Sequence, residues 1–373
     1  MGTEFKRLIR QPFLWIFLAG CIGINMWLLA NHVSQRGLVL ESVKAQEELG
    51  SLNEENKGAY IERLEQFGTD EEGMLTPSQM ILAALSMARD LTAQDIADAY
   101  IGNMQLTGDG ADRAMACFER FEPVLKENRA EGRANAFFVP EVQGFFLFLG
   151  QQLPLFCTLE GILANVFIAF KGMTDPFATG ISLLIFSLKT GRRLCLWKRG
   201  TAVMAGWIWG TLVWGISMGL TLWVFPLGSL WQTPVGSMML LSGMCPLLSQ
   251  VPLSLTGYMV LQFAISLAVM GLFSLFAGWA ALHTKNTLTA GAGLGLVCMA
   301  VYTFVKLFPG SSIWWFAVRY NPITLAWSAG QWLVCGATSL NTVGYVAVTL
   351  ILWGAAAGVL IRVQTRNFGR EDL

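Results

Sequence analysis

The stretch 12-PFLWIFLAGCIGINMWLLA-30 holds no charged residue over 19 positions. As a helix rising about 1.5 Å per residue it spans roughly 28 Å, close to the hydrocarbon thickness of a bilayer. Lys6, Arg7 and Arg10 lie just before it. The competing reading is a cleaved secretory signal. The run is long for the apolar part of such a signal, and Asn31-His32 follows instead of a small-x-small cleavage pattern. The favoured reading is an uncleaved first span, and the rest of the chain is then read as parts placed on either side of a membrane.

The segment after the first span is polar. Between residues 31 and 140 there are 19 Asp/Glu against 10 Lys/Arg, while the remainder of the chain holds 6 acids against 15 bases. The formal net charge of zero is therefore two opposite excesses cancelling. Overall only 13% of residues are charged and 54% are hydrophobic, far from the roughly 25% charged of a soluble domain. Segment 31–137 reads as a water-exposed helical domain. A helix is expected over 51–67. Thr76-Pro77 looks like a cap followed by Pro at the first helical position, opening a helix through Met80, Leu82 and Met87. Thr92 with Asp95 approximates a capping box. Asp109 or Asp112 is expected to open a further helix, whose apolar face would be Met115, Phe118, Phe121 and Leu125.

Beyond residue 137 the chain is apolar again. Further spans are expected over 145–170, 202–225, 255–282, 288–308 and 342–361, which makes six with the first. Two apolar stretches are too short or too broken to cross. Segment 238–252 contains Pro246 and Pro252, and 313–335 is interrupted by Arg319-Tyr320-Asn321-Pro322. Both read as short re-entrant or interfacial helices at one face. Six spans leave both termini on one side. Lys6, Arg7, Arg10, Lys171, Lys189, Arg192, Arg193, Lys198, Arg199, Lys285, Arg362, Arg366 and Arg370 all fall on that side, leaving only Lys306 and Arg319 for the connections after spans three and five. The positive-inside rule makes the basic side cytoplasmic and the acidic domain extracellular. The expected fold class is thus an all-α integral membrane protein with a helical extracellular domain inserted between the first two spans.

Several chemistries are excluded. His32 and His283 are the only histidines, and the seven cysteines include no CxxC pair, so no metal site is expected. Cys117 could pair with Cys245 or Cys335, although free thiols are favoured. No GxxxxGK[ST] motif occurs, so no ATP is expected on this chain. Gly215-Ile-Ser217-Met-Gly219 spells GxSxG, yet a nucleophile elbow needs a strand–turn–helix setting and a His partner, and Ser217 falls within a span. Lys189-Thr190-Gly191 lacks a companion SxxK serine. No catalytic residue is assigned.

The connection between spans two and three, 171-KGMTDPFATGISLLIFSLKTGRRLCLWKRG-200, carries the most information. Asp175-Pro176 resembles a cap followed by Pro, and Phe177, Ile181, Leu184 and Ile185 would mark one face of a short helix leading into a basic cluster. Such a helix at the membrane surface could dock a soluble partner or simply bind lipid headgroups. In layout the chain resembles the permease subunit of bacterial ABC-2-type exporters. Those chains begin with a basic amphipathic helix and a first span, often with a large extracellular insertion. Their second span leads into an acidic residue, a Gly and a run ending in Arg and Lys. Asp175, Gly180, Arg193 and Lys198 occupy those places here, joined by Arg192 in the basic run, and Asn321-Pro322 resembles the family's extracellular re-entrant element. The chain departs from the family in having Asp-Pro where a Glu without Pro is common.

The resemblance implies a bacterial cytoplasmic-membrane exporter powered by separate ATPase subunits, which would carry the ATP and Mg. It also implies a second permease chain, identical or paired, and no nucleic acid partner. Residues 1–11 would form an interfacial helix, and 175–188 a helix meeting the ATPase within a coupling segment at 172–200. Inside the membrane, Glu160 falls near the middle of span two with Gln151, Gln152 and Asn165 on the same segment. An ionisable residue there is rare and costly, so these four are candidates for the translocation path. A structural hydrogen bond across helices, or a shifted span that brings Glu160 to a water-filled cavity, are the competing readings. Asn25 reads as a helix–helix hydrogen bond. An apolar, Trp-rich bundle favours an amphipathic or hydrophobic cargo, such as a peptide, antibiotic or lipid. The alternative is a receptor or sensor whose extracellular domain binds a ligand without transport.

Overall fold

The computed structural model describes residues 10–50, 52–65, 79, 81–82, 85, 92–130, 143–181, 189–235, 248–249, 253–312, 314–332, 334–335 and 343–368. The helix expected over 1–11, most of the helix after Thr76 and the segment 182–188 fall outside these residues.

Six helices are long and apolar enough to cross a membrane, as the sequence implied. In chain order, α1 is Pro12–Ala30. Past the polar segment, α7 is Gln143–Leu147 and α8 is Leu153–Ala178, joined through a π-turn at Phe148–Gln152. Helix α9 is Lys189–Val224, α10 is Leu255–Thr284, α11 is Thr287–Lys306 and α14 is Val343–Phe368. Helix α8 lies at the centre, packed on α1, α9, α10 and α11. Of its most apolar window 67% is enclosed by protein, against 11% for α11 and 17% for α14, so the last two spans are peripheral.

The core is built by close approach at small residues. A Cβ on Gly206 of α9 would run into the Asn165 amide of α8, and one on Gly161 or Gly210 would strike Met270 of α10. Of the glycines spaced four apart in the spans, 206/210, 215/219, 291/295 and 354/358, the others do not pack this way: at Gly215, Gly219, Gly295, Gly354 and Gly358 a Cβ meets nothing within 4 Å among the described residues, and at Gly291 it makes only an ordinary contact with Phe170. The first pair alone marks a tight seam, of α9 with α8 and α10.

Within the polar segment, α2 (Arg36–Leu49) follows α1 through one 3-10 turn at Val33–Gln35, and α3 is Lys57–Leu64. The helix expected over 51–67 is shorter because two asparagines build a turn ahead of it. Asn53 Oδ1 accepts from the Glu55 and Asn56 amides, and Asn56 Oδ1 accepts from the Asn53 amide. Helix α4 (Ala93–Met104) opens on the expected capping box, with Thr92 and Asp95 bonding reciprocally to each other's backbone amides. Helix α5 (Gly108–Phe118) begins after Thr107, so neither Asp109 nor Asp112 is its cap; Asp109 sits in the first turn, where a carboxylate complements the helix dipole. The backbone tightens over Glu119–Phe121 before α6 (Glu122–Ala130), yet Phe118, Phe121 and Leu125 are buried together as their spacing implied.

The two halves of this segment are packed differently. Val39, Val43, Tyr60 and Leu64 join the core of the spanning bundle. Ile96, Tyr100, Phe118 and Phe121 form a separate core, closed by Trp315 of α12 (Trp314–Ala317), from the connection after α11. The Arg319 guanidinium stacks 3.6 Å above the Trp315 ring. Arg36 Nε donates to Val224 O at 2.9 Å and Gln46 Nε2 to Thr233 Oγ1 at 2.9 Å. The polar segment and the connections after α9 and α11 therefore share one end of the bundle, here termed the domain end. Lys171, Lys198, Arg199, Lys285, Arg362 and Arg366 lie towards the opposite, basic end.

Two expectations change. Among the described residues the regular structure is helical apart from short extended pairings at the domain end. Leu248–Ser249 (β1) runs antiparallel to Val334–Cys335 (β2), pairing Leu248 with Cys335 and Ser249 with Val334, and Pro234 bridges Ser254. This joins the ends of the two broken stretches; the second also holds the short helices expected there, Trp314–Ala317 and Pro322–Trp327, while 238–247 of the first lies outside the described residues. Second, Asp175-Pro176 does not start a helix. Both residues are buried in the last turn of α8, which continues to Ala178 and ends on Thr179 and Gly180. Pro176 cannot donate to the carbonyl one turn back, a loss α8 sustains only two residues before its last residue, Ala178, and Gly180 at φ +71° supplies the left-handed residue that stops the helix.

Candidate functional site

Four polar side chains from three spans meet inside the bundle. Asn25 on α1 is the hub. Its Nδ2 donates to Glu160 Oε2 on α8 at 2.9 Å and to Ser217 Oγ on α9 at 2.9 Å, and it lies 3.8 Å from Cys157 Sγ. All four residues are buried, and Cys21 of α1 is buried nearby. Asn25 Oδ1 and Glu160 Oε1 are also buried, with no hydrogen-bond partner among the described residues. Two acceptors without donors in an apolar interior are costly; Asn165 Oδ1 and the Gln262 amide share that state elsewhere in the bundle, so what marks this cluster is the direct bonding of Asn25, Glu160 and Ser217 across three spans.

The depth of the cluster follows from its partners. Asn25 is five residues from the end of α1 and Ser217 seven from the end of α9, hence about 7–10 Å along each helix from the domain end. Glu160 is near the middle of the long Gly144–Ala178 span, but it lies in the outer third of its neighbours. Counting along span two alone misplaces it, because that span extends well past the others at the domain end. Asn25 and Glu160 are each conspicuous in sequence; their pairing, and the part of Ser217, are not.

The other three intramembrane candidates do not join the cluster. Asn165 is fully buried one and a half turns further on, donating to Gly161 O at 2.8 Å. Gln151 and Gln152 lie in the π-turn. Gln152 is exposed, while Gln151 Oε1 accepts from Gln331 Nε2 at 3.3 Å. A π-turn displaces carbonyls from the regular ladder. Here the Tyr258 hydroxyl of α10 bonds to Gly150 O at 3.2 Å and also to Gly330 O. Gly330, at φ +84°, presses so closely on the Gln151 backbone that no side chain would fit. The turn is thus a clamp for α13 (Pro322–Trp327). That helix opens on Asn321, whose Oδ1 accepts from the Ile323 and Thr324 amides at 3.0 and 2.8 Å, and it packs on α8, α10, α11 and α14.

A second polar layer joins α8 to α10, where Thr158 Oγ1 and Ser266 Oγ are 2.8 Å apart. Trp209 and Trp214 are buried within the core, and Trp207 Nε1 donates to Leu267 O at 2.8 Å, so these tryptophans hold the bundle together. Trp223 and Trp314 are exposed near the ends of helices, as an aromatic belt requires.

At the basic end, Asp175 is buried and pairs with Lys171 at 3.0 Å, one turn earlier on α8. Lys198 and Arg199 are buried on α9. Arg199 Nη2 donates to Gln364 Oε1 at 2.5 Å, and Gln364 Nε2 donates to Trp279 O at 2.9 Å, tying α9, α14 and α10 together. Gly180 is exposed. Arg192 and Arg193 belong to the first turns of α9, their side chains outside the described residues. The candidates for partner docking therefore do not lie on one surface helix. Asp175 and Lys198 are built into the bundle, Gly180 ends α8, and the two arginines open α9.

Cys21, Cys117, Cys157 and Cys298 are free thiols. Among the described residues no cluster of His, Cys, Asp and Glu could hold a metal ion. Comparison with protein-family models, with curated proteins and with solved structures finds no match to this chain.

Proposed function

We propose that this chain is the membrane-spanning permease subunit of an ATP-driven exporter of the ABC-2 type, working with separate nucleotide-binding ATPase subunits and a second permease chain. The observation that carries the reading is the distribution of material along the six spans. A large helical insertion follows the first span and is packed against the connections after the third and fifth. The opposite end carries the basic residues and the short connection from α8 to α9. In the proposed orientation that basic end faces the cytoplasm, with both termini there, and the chain sits in a bacterial cytoplasmic membrane. The buried helix α13, capped by Asn321 and inserted among four spans, supports a re-entrant element on the extracellular side. In this reading the ATPase docks around 179–193, and Asp175, Lys198 and Arg199 transmit its movement because they are fixed inside the bundle.

The Asn25–Glu160–Ser217 cluster favours a polar contact point on an otherwise apolar route, which suits an amphipathic or hydrophobic cargo. The test is co-expression with P-loop ATPases from the same genome, followed by cargo transport in vesicles. Arg193→Glu is expected to abolish ATP-dependent transport while the chain still inserts and binds its partner permease. A fully coupled complex carrying Arg193→Glu would remove the docking assignment. Failure of every such ATPase to associate would favour the receptor reading, in which the tight packing of α2 and α3 onto the bundle would relay ligand binding without transport.

A further inference from the structure

The cluster of Asn25, Glu160 and Ser217 is short of hydrogen-bond donors. Both hydrogens of the Asn25 amide are committed, one to Glu160 Oε2 and one to Ser217 Oγ, each at 2.9 Å. The Ser217 hydroxyl turns to Cys157 Sγ. Glu160 Oε1 and Asn25 Oδ1 remain as two buried acceptors with no partner among the described residues. Cys21, Asn25, Cys157, Glu160 and Ser217 are each at most 6% exposed, so bulk water does not supply the missing donors.

The cluster is also short of positive charge. Helix α1 carries no charged residue and offers only the Cys21 thiol. On α8 the titratable neighbour is Cys157, and Lys171 lies eleven residues or about 16 Å further on, paired with Asp175. Helix α9 has no titratable residue from Thr201 to Val224; exposed Arg36 bonds Val224 O, about 10 Å along the helix from Ser217. Helix α10 brings Tyr258, held by the Gly150 and Gly330 carbonyls, and His283 at the basic end. Helix α11, with Cys298, Tyr302 and Lys306, approaches α8 at Phe170, and α13 has no titratable residue. His32 lies about two turns past Asn25 with its ring 4.9 Å from Phe148, and burial holds its imidazole below the ordinary value, so it is uncharged at neutral pH. An ionised Glu160 would therefore be a buried charge without a counter-ion, one of the costliest arrangements in a folded chain.

We propose that Glu160 is a proton-binding site: its carboxyl carries a proton on Oε1 while α1, α8 and α9 are packed together, and gives it to water when that contact opens. One proton removes the charge and supplies a donor to a cluster whose other unfilled atom, Asn25 Oδ1, is an acceptor. A trapped water would supply donors but leave the charge. A hard metal cation takes about six or more oxygen ligands, and the cluster offers two free ones. The shortest way to water is the domain end, about 7–10 Å along α1 and α9. The packed form then binds one proton more than the opened form. Its stability is full at low pH and is lost as pH rises through the range in which the enclosed carboxyl ionises. The inference does not depend on the exporter reading, since it requires only that the cluster stay enclosed in the bundle.

Infrared difference spectroscopy of the full chain in phosphatidylcholine vesicles at neutral pH reads such a proton directly, because exposed carboxyls are ionised there. The unaltered chain should show a carboxylic-acid carbonyl band that shifts in heavy water, and Glu160→Gln should lose it. Glu160→Asp is the second variant should the first not fold, and it should move the band. His32→Gln should leave the band in place. Reversible unfolding in bicelles gives an independent readout. Between neutral and alkaline pH the unaltered chain should lose more stability than Glu160→Gln, whose side chain stays uncharged and still offers a donor. Absence of an acid band at neutral pH would overturn the proposal and leave a trapped water as the partner. A band unmoved in both Glu160 variants, or lost with His32, would assign the proton elsewhere and overturn it too. Parallel stability profiles would overturn the coupling between the proton and the helix contact.

Discussion

Replacing Asn25 by Leu tests whether the intramembrane cluster acts as a unit. Asn25 Nδ2 supplies hydrogen bonds to both Glu160 Oε2 and Ser217 Oγ. An interhelical hydrogen bond in a membrane is worth about 0.6 kcal/mol on average, up to about 1.7. A buried acceptor left without any donor costs a further 1–3 kcal/mol or so. Asn25→Leu removes both bonds and strands the carboxyl, so it should destabilise the bundle by about 2–3 kcal/mol. Glu160→Leu removes one bond but also the unpartnered Oε1, and Asn25 keeps Ser217, so its cost should stay near 1 kcal/mol or below. In the double variant the stranded carboxyl is gone. The two effects should then fall short of additivity by at least about 1 kcal/mol. Reversible unfolding in bicelles, applied to the unaltered chain, both single variants and the double variant, measures this coupling. Additivity to within about 0.5 kcal/mol would show that the two residues do not act together and would refute the cluster as a unit. Glu160→Gln separates stability from transport. With folding retained, a larger loss of cargo flux than of melting temperature supports a place on the route, whereas equal losses support a purely structural hydrogen bond.

The packing and the charges set four further outcomes. Gly206→Ala should destabilise the bundle by about 1–3 kcal/mol because its methyl meets the Asn165 amide, whereas Gly354→Ala, where a Cβ meets nothing, should be neutral or slightly stabilising in the same unfolding assay. Tyr258→Phe should cost about 1–2 kcal/mol by stripping the Gly150 and Gly330 carbonyls of their shared donor, and should raise hydrogen exchange in 322–332 before it affects α8. Arg63 beside Glu41 holds that carboxyl below its ordinary range, chiefly by a hydrogen bond. The pair therefore contributes stability at neutral pH that is lost as pH falls through the carboxylate range, and Arg63→Gln should flatten the acid side of the stability profile by about 0.5–1 kcal/mol. For orientation, Lys44→Cys should react with an impermeant maleimide in intact cells and Arg366→Cys only after permeabilisation; the reverse pattern would invert the proposed topology.

The spans are legible because a membrane demands something simple of sequence: about 20 apolar residues with every backbone polar group satisfied within a helix. Pro12–Ala30 meets that demand without reference to any other part of the chain. The capping box at Thr92 and the face of Phe118, Phe121 and Leu125 are legible for the same reason, being set by residues within a few positions. Where sequence and structure part, tertiary contacts overrule local signals. Asp175-Pro176 has the composition of a helix start, but the apolar face of α8 carries the helix through Pro176 and buries Asp175 against Lys171, so the helix stops at Gly180 instead. The pairing of β1 with β2 links residues more than eighty positions apart, and no two-residue strand announces itself in composition.

The candidate site illustrates the same limit in a form that matters for function. Glu160 can be singled out by its charge, yet its depth is fixed by α1 and α9, because only its partners reveal where along the bilayer a 35-residue span sits. With Asn25 and Ser217 in place, Glu160 is fixed about 7–10 Å along its partner helices from the domain end, near the connections packed there. A polar group at that level, beneath a domain whose α2 and α3 share the bundle's core, is placed to respond to movement of that domain rather than to chemistry at the opposite surface. The basic end has its own fixed elements in Asp175, Lys198 and Arg199. Helices α8 and α9 each carry residues of both sites, Glu160 and Asp175 on the one and Ser217, Lys198 and Arg199 on the other, so coupling between the two ends runs through these two packed helices and the α10 surface that contacts both.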